Sequence, residues 1–403
     1  MHTVHTQSLL SINSGSSSLK FALFVIGESN TPQQLYRGEF TAIGGAGQFY
    51  VRDTHGHLFH EQDTAISNHE HALQILLDWL SKETLSLELI GAGHRVVHGG
   101  RRFHTPIRVT EDVLAYLQEL TPLAPNHQPP CLLGITMLQR LQPRLPQFAC
   151  FDTAFHHDRP AVEQYFALPS RLELDEVRRY GFHGLSYEYI AKVLPDHLGA
   201  RADGKVVVAH LGHGASLCAM HQCRSIATTM TFTPLDGIPM GTRCGSIDPA
   251  VVLYLLGQGM TADAIADLLY FQSGLIGVSG TSDDMVKLLE LNTPKSQQAI
   301  EQFVHHTVRA IGSLTAALEG LDALVFTAGI GVHAATIREA ICKRCEWLGL
   351  ELDADANTLG QPCISKAGSL VQVWVIPTDE ERMIAEQTLA VMKTENIQDE
   401  GSL

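Results

Sequence analysis

The stretch LLSINSGSSSLKFALF, residues 9–24, carries two apolar runs on either side of a turn made of glycine and serine. Apolar runs of this length, bounded by small polar residues, predict two β-strands joined by a tight turn. A turn with such small side chains lets backbone N–H groups and serine hydroxyls approach a phosphate closely. Taken alone, the stretch fits an ordinary hairpin equally well.

The same pattern of strand, glycine turn and strand recurs at residues 205–220. The sequences INSGSSSL and LGHGASLC align on Gly15 and Gly214, with Ser17 opposite Ser216. Further strand-like and helical segments follow in both halves, which predicts an α/β fold of two duplicated domains. Domains of this kind usually form a cleft between them, where a small ligand binds.

The composition narrows the classes of function. The 403 residues are 45% hydrophobic and 18% charged, as in a globular protein with large cores. The net charge of −15, from 43 acidic and 28 basic side chains, argues against nucleic acid or an anionic membrane as the main partner. No apolar run reaches the roughly 18 residues of a membrane-spanning helix.

The N-terminus and the cysteines predict a cytoplasmic protein. MHTVHTQS has neither the basic region nor the apolar run of a signal peptide. Of the eight cysteines, Cys342 and Cys345 form a CKRC motif, but it lies in a stretch with helical spacing and no second metal-binding pair accompanies it. Reduced thiols of a cytosolic protein are therefore favoured over a redox or zinc site.

Three loops of small residues favour a nucleotide ligand. They are the turn after Asn13, HLGHGAS at 210–216 and FTAGIG at 326–331, the last a strand expected to enter a glycine loop. The first loop has neither the Walker A pattern nor the G-x-G-x-x-G pattern, since it leads into a strand instead of a helix. Asn13 can present an oxygen to a cation, and Lys20 can add positive charge.

Arginine and histidine residues in glycine-rich loops suggest phosphoryl chemistry. Arg95 lies in GAGHRVVHGG and Arg243 in TPLDGIPMGTRCGSIDP, and two guanidinium groups can clamp a transferring phosphoryl group. His127 and His183 can donate hydrogen bonds to the same group. Asp152, at a strand end, can orient an arginine or a hydrated magnesium ion. The alternatives are a surface ion pair for Arg95 and structural roles for the histidines.

Two segments carry expectations about local structure. TPLAPNHQPP, residues 121–130, contains four prolines and is expected to be a non-helical loop. The final residues, KTENIQDEGSL, are polar and are expected to form a frayed tail.

A set of motifs in a fixed order gives the chain a resemblance to a known family. They span residues 12 to about 385 and are INSGSSSLKF, GHRVVHGG, FDTAFH, YGFHG, HLGHGAS, PMGTRCGSIDP, GVSGTS, FTAGIG and PTDEE. In these motifs the chain resembles the acetate kinase family. The resemblance implies two duplicated actin-like, sugar-kinase-like ATPase domains, residues 1–152 and 153–385, with a cleft between them. It also implies that the last helix, about 380–393, packs back on the first domain.

The resemblance implies reversible transfer of the γ-phosphoryl group of ATP to acetate, giving acetyl phosphate and ADP. Transfer is direct and in line, with Mg²⁺ as the cofactor and Mn²⁺ as an alternative ion. A homodimer formed by the C-terminal half is also implied. Three alternatives stay open: a propionate or other short-chain acyl kinase, a catalytically weakened sensor that binds nucleotide or acyl phosphate, and an actin-like or chaperone-like ATPase.

Roles are carried over from the family only where the motifs match. The resemblance implies catalytic roles for Asp152, Arg95, Arg243, His183 and His127, and magnesium contacts for Asn13 and Glu380. The acyl pocket is implied to consist of Arg95, Val97, Asn126, Phe182 and Pro234. The nucleotide-binding residues are implied to be Lys20, His210, Leu211, Gly212, His213, Gly214, Asp284, Met285, Val286, Gly329, Ile330, Gly331, Val332 and His333.

The chain departs from the family pattern at several of these positions. His213 replaces an asparagine of the second phosphate loop, HLGHGAS. Ser246 replaces an aspartate of the arginine loop, the segment PMGTRCGSIDP that carries Arg243. In the nucleotide motifs Val286 replaces an arginine, and the Val332–His333 pair replaces Glu-Asn. Asn126 replaces a leucine of the acyl pocket. The departures therefore bear on the nucleotide, and on the identity of the phosphoryl donor, more than on the phosphoryl chemistry.

Overall fold

The computed structural model describes residues 6–27, 31–84, 86–172 and 174–400. The chain divides into two compact units: unit 1 comprises Met1–Ala154 and Asp379–Leu403, and unit 2 comprises Phe155–Thr378. Residues 1–5, on which part of the signal-peptide expectation rests, and residues 401–403 of the expected tail lie outside the described residues. Among the helices of the described part, none is both long and apolar enough to cross a membrane.

Both units combine strands with helices. Unit 1 contains, in chain order, β1 (Thr6–Ser14), β2 (Leu19–Ile26), β3 (Pro32–Phe40), β4 (Gly45–Asp53), β5 (Leu58–Ile66), α1 (His69–Glu83), β6 (Leu87–Val96), β7 (Ile107–Arg108), α2 (Glu111–Glu119), α3 (Gln128–Leu141) and β8 (Gln147–Phe151). Unit 2 contains α4 (Gly184–Leu198), β9 (Lys205–Leu211), β10 (Ala215–His221), β11 (Arg224–Thr228), α5 (Pro249–Gly257), α6 (Ala262–Phe271), α7 (Gly274–Ser279), α8 (Met285–Leu291), α9 (Pro294–Leu318), β12 (Ala323–Thr327), α10 (Ala328–His333), α11 (Ala335–Arg344), α12 (Ala354–Thr358) and β13 (Gln372–Val375). The chain returns to unit 1 with α13 (Glu380–Glu400).

The two sheets share a strand topology. In unit 1 the order is β5-β4-β3-β2-β1-β6-β8-β7, and in unit 2 it is β11-β10-β9-β12-β13. In each sheet an antiparallel meander, of five strands (β1 to β5) in unit 1 and three strands (β9 to β11) in unit 2, leads to two parallel strands, β6 and β8 in unit 1 and β12 and β13 in unit 2. The α/β fold class expected from the sequence is therefore confirmed, and the shared topology agrees with duplication of one unit.

The hairpin at residues 9–24 forms the centre of the sheet of unit 1. Leu9, Leu10 and Ile12 of β1 are at most 1% exposed, because β2 and β6 flank this strand and helices cover its faces. Continuous apolar runs are typical of strands that are buried on both faces. The turn is closed by a hydrogen bond from Gly15 N to Ser18 O of 2.9 Å. In unit 2, β9 and β10 form the corresponding hairpin around Gly212 and Gly214.

Helix α13 packs closely on the sheet of unit 1. A Cβ atom at Gly93 of β6 would lie 2.2 Å from Thr388 Oγ1 and 2.6 Å from Ile384 Cγ2, so only glycine permits this approach. Ser11 Oγ donates to Glu381 O over 2.7 Å. The expectation of a frayed tail from Lys393 is wrong for residues 393–400, because the helix continues to Glu400.

Two further local expectations are wrong. The segment 121–130 is partly helical: residues 121–123 form a 3-10 turn, and α3 begins at Gln128 with Pro129 and Pro130 in its first turn. Proline is tolerated there because the first N–H groups of a helix have no intrahelical acceptor. The segment GIGVH is also helical, since α10 follows β12 directly.

A buried histidine gives a test of this architecture. His98 is fully buried, its Nδ1 accepts from Gly100 N at 2.9 Å, and burial lowers its pKa to about 3. The unfolded chain binds a proton there below about pH 6.5 and the native protein does not, so the free energy of unfolding falls as pH drops. His98→Asn should destabilise by about 1–3 kcal/mol near neutrality, because it weakens a buried hydrogen bond.

That difference should shrink by about 2 kcal/mol between pH 7.5 and pH 5, because the asparagine variant does not carry the histidine's proton-linked penalty. Denaturant unfolding of both proteins at several pH values measures it. A difference that stays constant with pH would contradict a neutral, buried His98.

Candidate active site

In unit 1, three expected site residues meet at one edge of the sheet. Asn13 lies near the end of β1, Arg95 near the end of β6, and Asp152 directly follows β8. Strands β1, β6 and β8 run parallel, so their carboxyl ends lie at the same edge. Ligands of open α/β sheets bind outside the carboxyl ends of parallel strands. The topology therefore brings together three side chains that are far apart in sequence.

Arg95 is the centre of this group. Its Nε and Nη2 donate to Asp152 Oδ2 over 2.9 and 2.5 Å, and its Nη1 donates to Asn13 Oδ1 over 3.2 Å. The Asp152 side chain is 1% exposed and that of Arg95 is 20% exposed. Burial lowers the pKa of the guanidinium, but Asp152 and Glu380 raise it by more, so Arg95 is fixed as a cation. A buried charge pair of this kind holds the guanidinium in one orientation.

The residues around Arg95 fit a hydrated divalent cation. Asp152 Oδ1 is buried and has no hydrogen-bond partner among the described residues. Burial raises the pKa of Glu380, in the first turn of α13, to about 7; Arg95 lowers it and Asp152 raises it further. The described residues contain no group of three or more His, Cys, Asp or Glu side chains that could hold a metal. Magnesium commonly takes only one or two carboxylates and keeps its remaining ligands as water and phosphate oxygens.

The other expected residues of unit 1 lie near turns and helix ends. Lys20 pairs in register with Asn13 across the hairpin, and its side chain is exposed. Val97 follows β6 and is buried. Asn126 and His127 are half-buried and immediately precede α3, with His127 at its N-cap.

In unit 2, His183 and Arg243 lie beside the glycine turn between β9 and β10. A Cβ atom added to Gly214 would be 2.7 Å from Arg243 Nη2 and 3.4 Å from His183 Nε2. Glycine at this position therefore lets a guanidinium and an imidazole approach the backbone of the turn. Arg243 Nη1 also donates to Pro234 O over 2.6 Å, and the His183 ring stacks on His210 at 4.2 Å between centroids.

Two buried residues that the sequence analysis did not single out hold the loop that carries His183. His156 is 1% exposed, and burial lowers its pKa to about 3, so it is neutral. Its Nε2 lies 2.9 Å from Phe182 O, and Arg159 donates to Tyr180 O over 2.9 Å. A Cβ atom at Gly181 would meet the His156 ring at 2.6 Å. His156 is the last residue of the family motif FDTAFH, so the sequence did draw attention to it. The sequence does not show which residue His156 contacts.

The expected nucleotide residues of unit 2 fall in several structural settings. Asp284 caps α8, and its Oδ1 accepts from Val286 N over 2.8 Å, so this carboxylate has a structural role. Met285 is buried, whereas Val286 is 57% exposed. His213 is exposed and its Nε2 lies 3.0 Å from Asp283 Oδ2. The remaining expected residues in the β9–β10 segment are His210, Leu211, Gly212 and Gly214.

Helix α10 carries the expected adenosine residues and is fastened by a buried arginine. Arg338 of α11 is 1% exposed and donates to the backbone oxygens of Gly331 and Val332 over 3.0 and 2.6 Å. It also donates to Asn357 Oδ1 over 2.8 Å. The remaining expected residues of α10 are Gly329, Ile330 and the exposed His333.

Unit 2 also contains an open cavity of about 660 Å³. Its lining includes Asp236, Ser246 and Arg309, and none of the expected site residues. Ser246, a departure from the family pattern, donates to Asp236 Oδ1 over 2.6 Å. This position therefore supports the fold of the arginine loop.

The chain is similar in sequence to proteins of one known family. The sequence profile of the Acetokinase family matches residues 8–386. Acetate kinase from Rhodopseudomonas palustris (strain ATCC BAA-98 / CGA009) is 53% identical, over 94% of this chain and 96% of its own length. Acetate kinase from Methylocella silvestris is 46% identical, over 96% of this chain and 98% of its own.

Two solved structures align with this protein over nearly its whole chain. A propionate kinase from Francisella tularensis subsp. tularensis SCHU S4 aligns with a TM-score of 0.87 at 35% identity, over 94% of this chain and 98% of its own. Porphyromonas gingivalis acetate kinase aligns with a TM-score of 0.84 at 32% identity, over 96% and 100%. The chain therefore belongs to the acetokinase family and is a kinase.

Proposed function

We propose that the protein transfers the γ-phosphoryl group of ATP reversibly to acetate, giving acetyl phosphate and ADP. The observation that carries the proposal is Arg95, held by the buried Asp152 at the carboxyl edge of the parallel strands. A guanidinium fixed in this way matches a carboxylate or a phosphoryl group with two parallel hydrogen bonds. The acetate kinases among the relatives support the choice of acceptor.

The chemistry requires positive charge and alignment more than a base. A carboxylate is ionised near neutral pH, so no residue has to remove a proton from it. The main obstacle is repulsion between the carboxylate and the phosphates of ATP. In direct, in-line transfer Arg95 and Arg243 offset this repulsion and orient the reacting groups, while His183 donates a hydrogen bond to the phosphoryl group. His127 is a second catalytic histidine in this proposal, and the apolar residues Val97, Phe182 and Pro234 line the pocket for the acid.

Magnesium is the proposed cofactor, and Mn²⁺ is an alternative. Asn13, Asp152 and Glu380 would hold the hydrated ion, the unpartnered Asp152 Oδ1 being a suitable acceptor for its water. When bound, the ion neutralises charge on the β- and γ-phosphates of ATP.

Trapping of the product tests the reaction. Protein incubated with ATP, magnesium, acetate and hydroxylamine should form acetohydroxamate, and chelation of the metal should stop its formation. The assay is repeated with acetate, propionate and butyrate, and with ATP, GTP or pyrophosphate as donor. If no combination gives a hydroxamate, the proposed acyl kinase activity fails and a nucleotide-binding sensor remains. Omitting the acid separates phosphoryl transfer to the acid from simple ATP hydrolysis.

Propionate is a second candidate acceptor. The structural similarity to a propionate kinase supports it, and Asn126, which the family resemblance assigns to the wall of the acyl pocket, is the residue to test. One residue of a pocket wall typically changes selectivity by about 1–3 kcal/mol. The ratio of kcat/KM for acetate and propionate, measured in wild type and in Asn126→Leu, decides between the two acids.

We also propose a cytoplasmic homodimer. All eight cysteines are free thiols in the structure, as in a reducing compartment. Helix α5 of unit 2 has no buried residue, and Leu253 and Tyr254 are 68% and 64% exposed. An exposed apolar face of this kind is typical of a subunit interface. Sedimentation equilibrium of the purified protein measures its mass.

A further inference from the structure

The hydroxyl groups of Tyr187 and Ser216 lie in a chain that ends on His183. Ser216 Oγ is 2.8 Å from His183 Nδ1 and 2.6 Å from Tyr187 Oη. Tyr187 and Ser216 are both fully buried. His183 precedes α4, and Tyr187 lies one turn along this helix, so the helix itself sets the spacing between the two side chains.

The direction of the hydrogen bonds follows from the available acceptors. Burial raises the pKa of Tyr187 well above its ordinary value, so its hydroxyl keeps its proton. Among the described residues, the hydrogen-bond partner of this hydroxyl is Ser216 Oγ. Because a buried donor needs an acceptor, Tyr187 donates to Ser216.

The proton of Ser216 then has one acceptor left. Its oxygen already accepts from Tyr187, and its other described partner is His183 Nδ1. Ser216 therefore donates to Nδ1. A neutral imidazole whose Nδ1 accepts a hydrogen bond carries its own proton on Nε2.

The tautomer decides whether His183 presents a donor or a lone pair at Nε2, beside Arg243. A Cβ atom at Gly214 would lie 3.4 Å from Nε2 and 2.7 Å from Arg243 Nη2, so both groups border the same turn. With its proton on Nε2, His183 presents a second hydrogen-bond donor beside the guanidinium. With its proton on Nδ1, it would present a lone pair, which repels a phosphoryl oxygen.

We propose that Tyr187 and Ser216 are positioning residues that hold His183 in the Nε2–H tautomer, so that it donates a hydrogen bond to the transferring phosphoryl group. The catalytic effect of this inference rests on the proposed function. The tautomer of His183 does not, and it can be measured without turnover.

Tyr187→Phe tests the inference because it removes one hydroxyl and keeps the ring. Freed from Tyr187, Ser216 can accept from Nδ1–H, and both tautomers become populated. We expect kcat to fall about 5- to 30-fold, as for the loss of about 1–2 kcal/mol of hydrogen bonding, with KM for ATP and acetate changed less than about twofold. Ser216→Ala removes the donor to Nδ1 directly and should have an equal or larger effect.

The decisive readout is the ¹⁵N spectrum of histidine-labelled protein, with the His183 signals assigned by their loss in His183→Asn. Wild type should show Nδ1 as an acceptor nitrogen and Nε2 as a protonated one, and Tyr187→Phe should move both signals toward the average of the two tautomers. The matched control is Tyr50→Phe, which removes a hydroxyl that donates to Glu39 Oε2 over 2.8 Å in unit 1. It should leave the His183 signals and kcat unchanged.

A protonated Nδ1 in wild type would overturn the inference, as would a Tyr187→Phe variant with unchanged signals and unchanged kcat. Thermal unfolding of each variant shows whether a loss of kcat reflects a loss of fold. If wild type forms no acyl phosphate, the proposed function fails, and the ¹⁵N spectra still decide the tautomer.

Discussion

Arg243→Ala is expected to lower kcat for acyl phosphate formation by at least 10²–10³-fold while unit 2 stays folded. The guanidinium reaches the turn at Gly214, where no other arginine or lysine is assigned, so its loss removes much of the positive charge that offsets the charge of the transferring phosphoryl group. By analogy, loss of one group that stabilises developing charge in an acyl-transfer enzyme costs about 2.7–4 kcal/mol. The hydroxamate assay, run over a range of ATP and acetate concentrations, measures kcat and KM separately.

The structural cost of this substitution should be small. Arg243 is half-buried, and among its contacts the variant loses the hydrogen bond to the Pro234 backbone oxygen. Arg243→Lys keeps the charge but not the planar fork, so it should recover only part of the rate. Arg344→Ala is the matched control, since this arginine forms an exposed pair with Glu301 at 3.4 Å. An Arg243→Ala variant with wild-type kcat would remove Arg243 from the mechanism.

Much of the scaffold could be predicted because its signals are local. The strand–turn–strand stretches around Gly15 and Gly214 are apolar runs interrupted by small residues, and the structure contains both hairpins. Arg95 lies near the end of a strand and Asp152 directly follows another. To predict that they meet at one sheet edge, only the correct strand order is needed. Hydrophobic periodicity alone does not give that order.

The positioning residues could not be predicted, because their roles depend on contacts between distant segments. His156 and Phe182 are 26 residues apart, and Ser216 and Tyr187 are 29 apart. Before the fold is known, each is only a small or aromatic residue in an apolar stretch. The prediction of a non-helical loop at the proline-rich segment 121–130 was wrong for another reason. Proline disfavours a helix interior but favours a first turn, and the sequence alone did not show where α3 begins.

Asp152→Ala is expected to remove both activity and stability, because this carboxylate is the counter-charge of a largely buried guanidinium. Breaking a buried ion pair from one side typically costs about 3–5 kcal/mol. Glu380 offsets part of this cost, since Asp152 raises its pKa and the variant should favour its ionised form. We therefore expect about 3 kcal/mol, or about 6–12 °C in the Tm of unit 1. Acyl phosphate formation should fall at least 10²-fold, because Arg95 loses its fixed orientation.

The double variant Arg95→Leu/Asp152→Leu separates the two losses. Replacing both partners of a buried pair with apolar side chains is often neutral or stabilising, so the Tm should return toward that of wild type. Activity should stay absent, because the guanidinium that binds the carboxylate or phosphoryl group is gone. Glu301→Ala, which breaks the exposed pair with Arg344, should change the free energy of unfolding by less than about 1 kcal/mol. If the double variant is as unstable as Asp152→Ala, the unpaired charge is not the cause of the instability. If Asp152→Ala keeps its activity, Asp152 does not position Arg95 for the reaction.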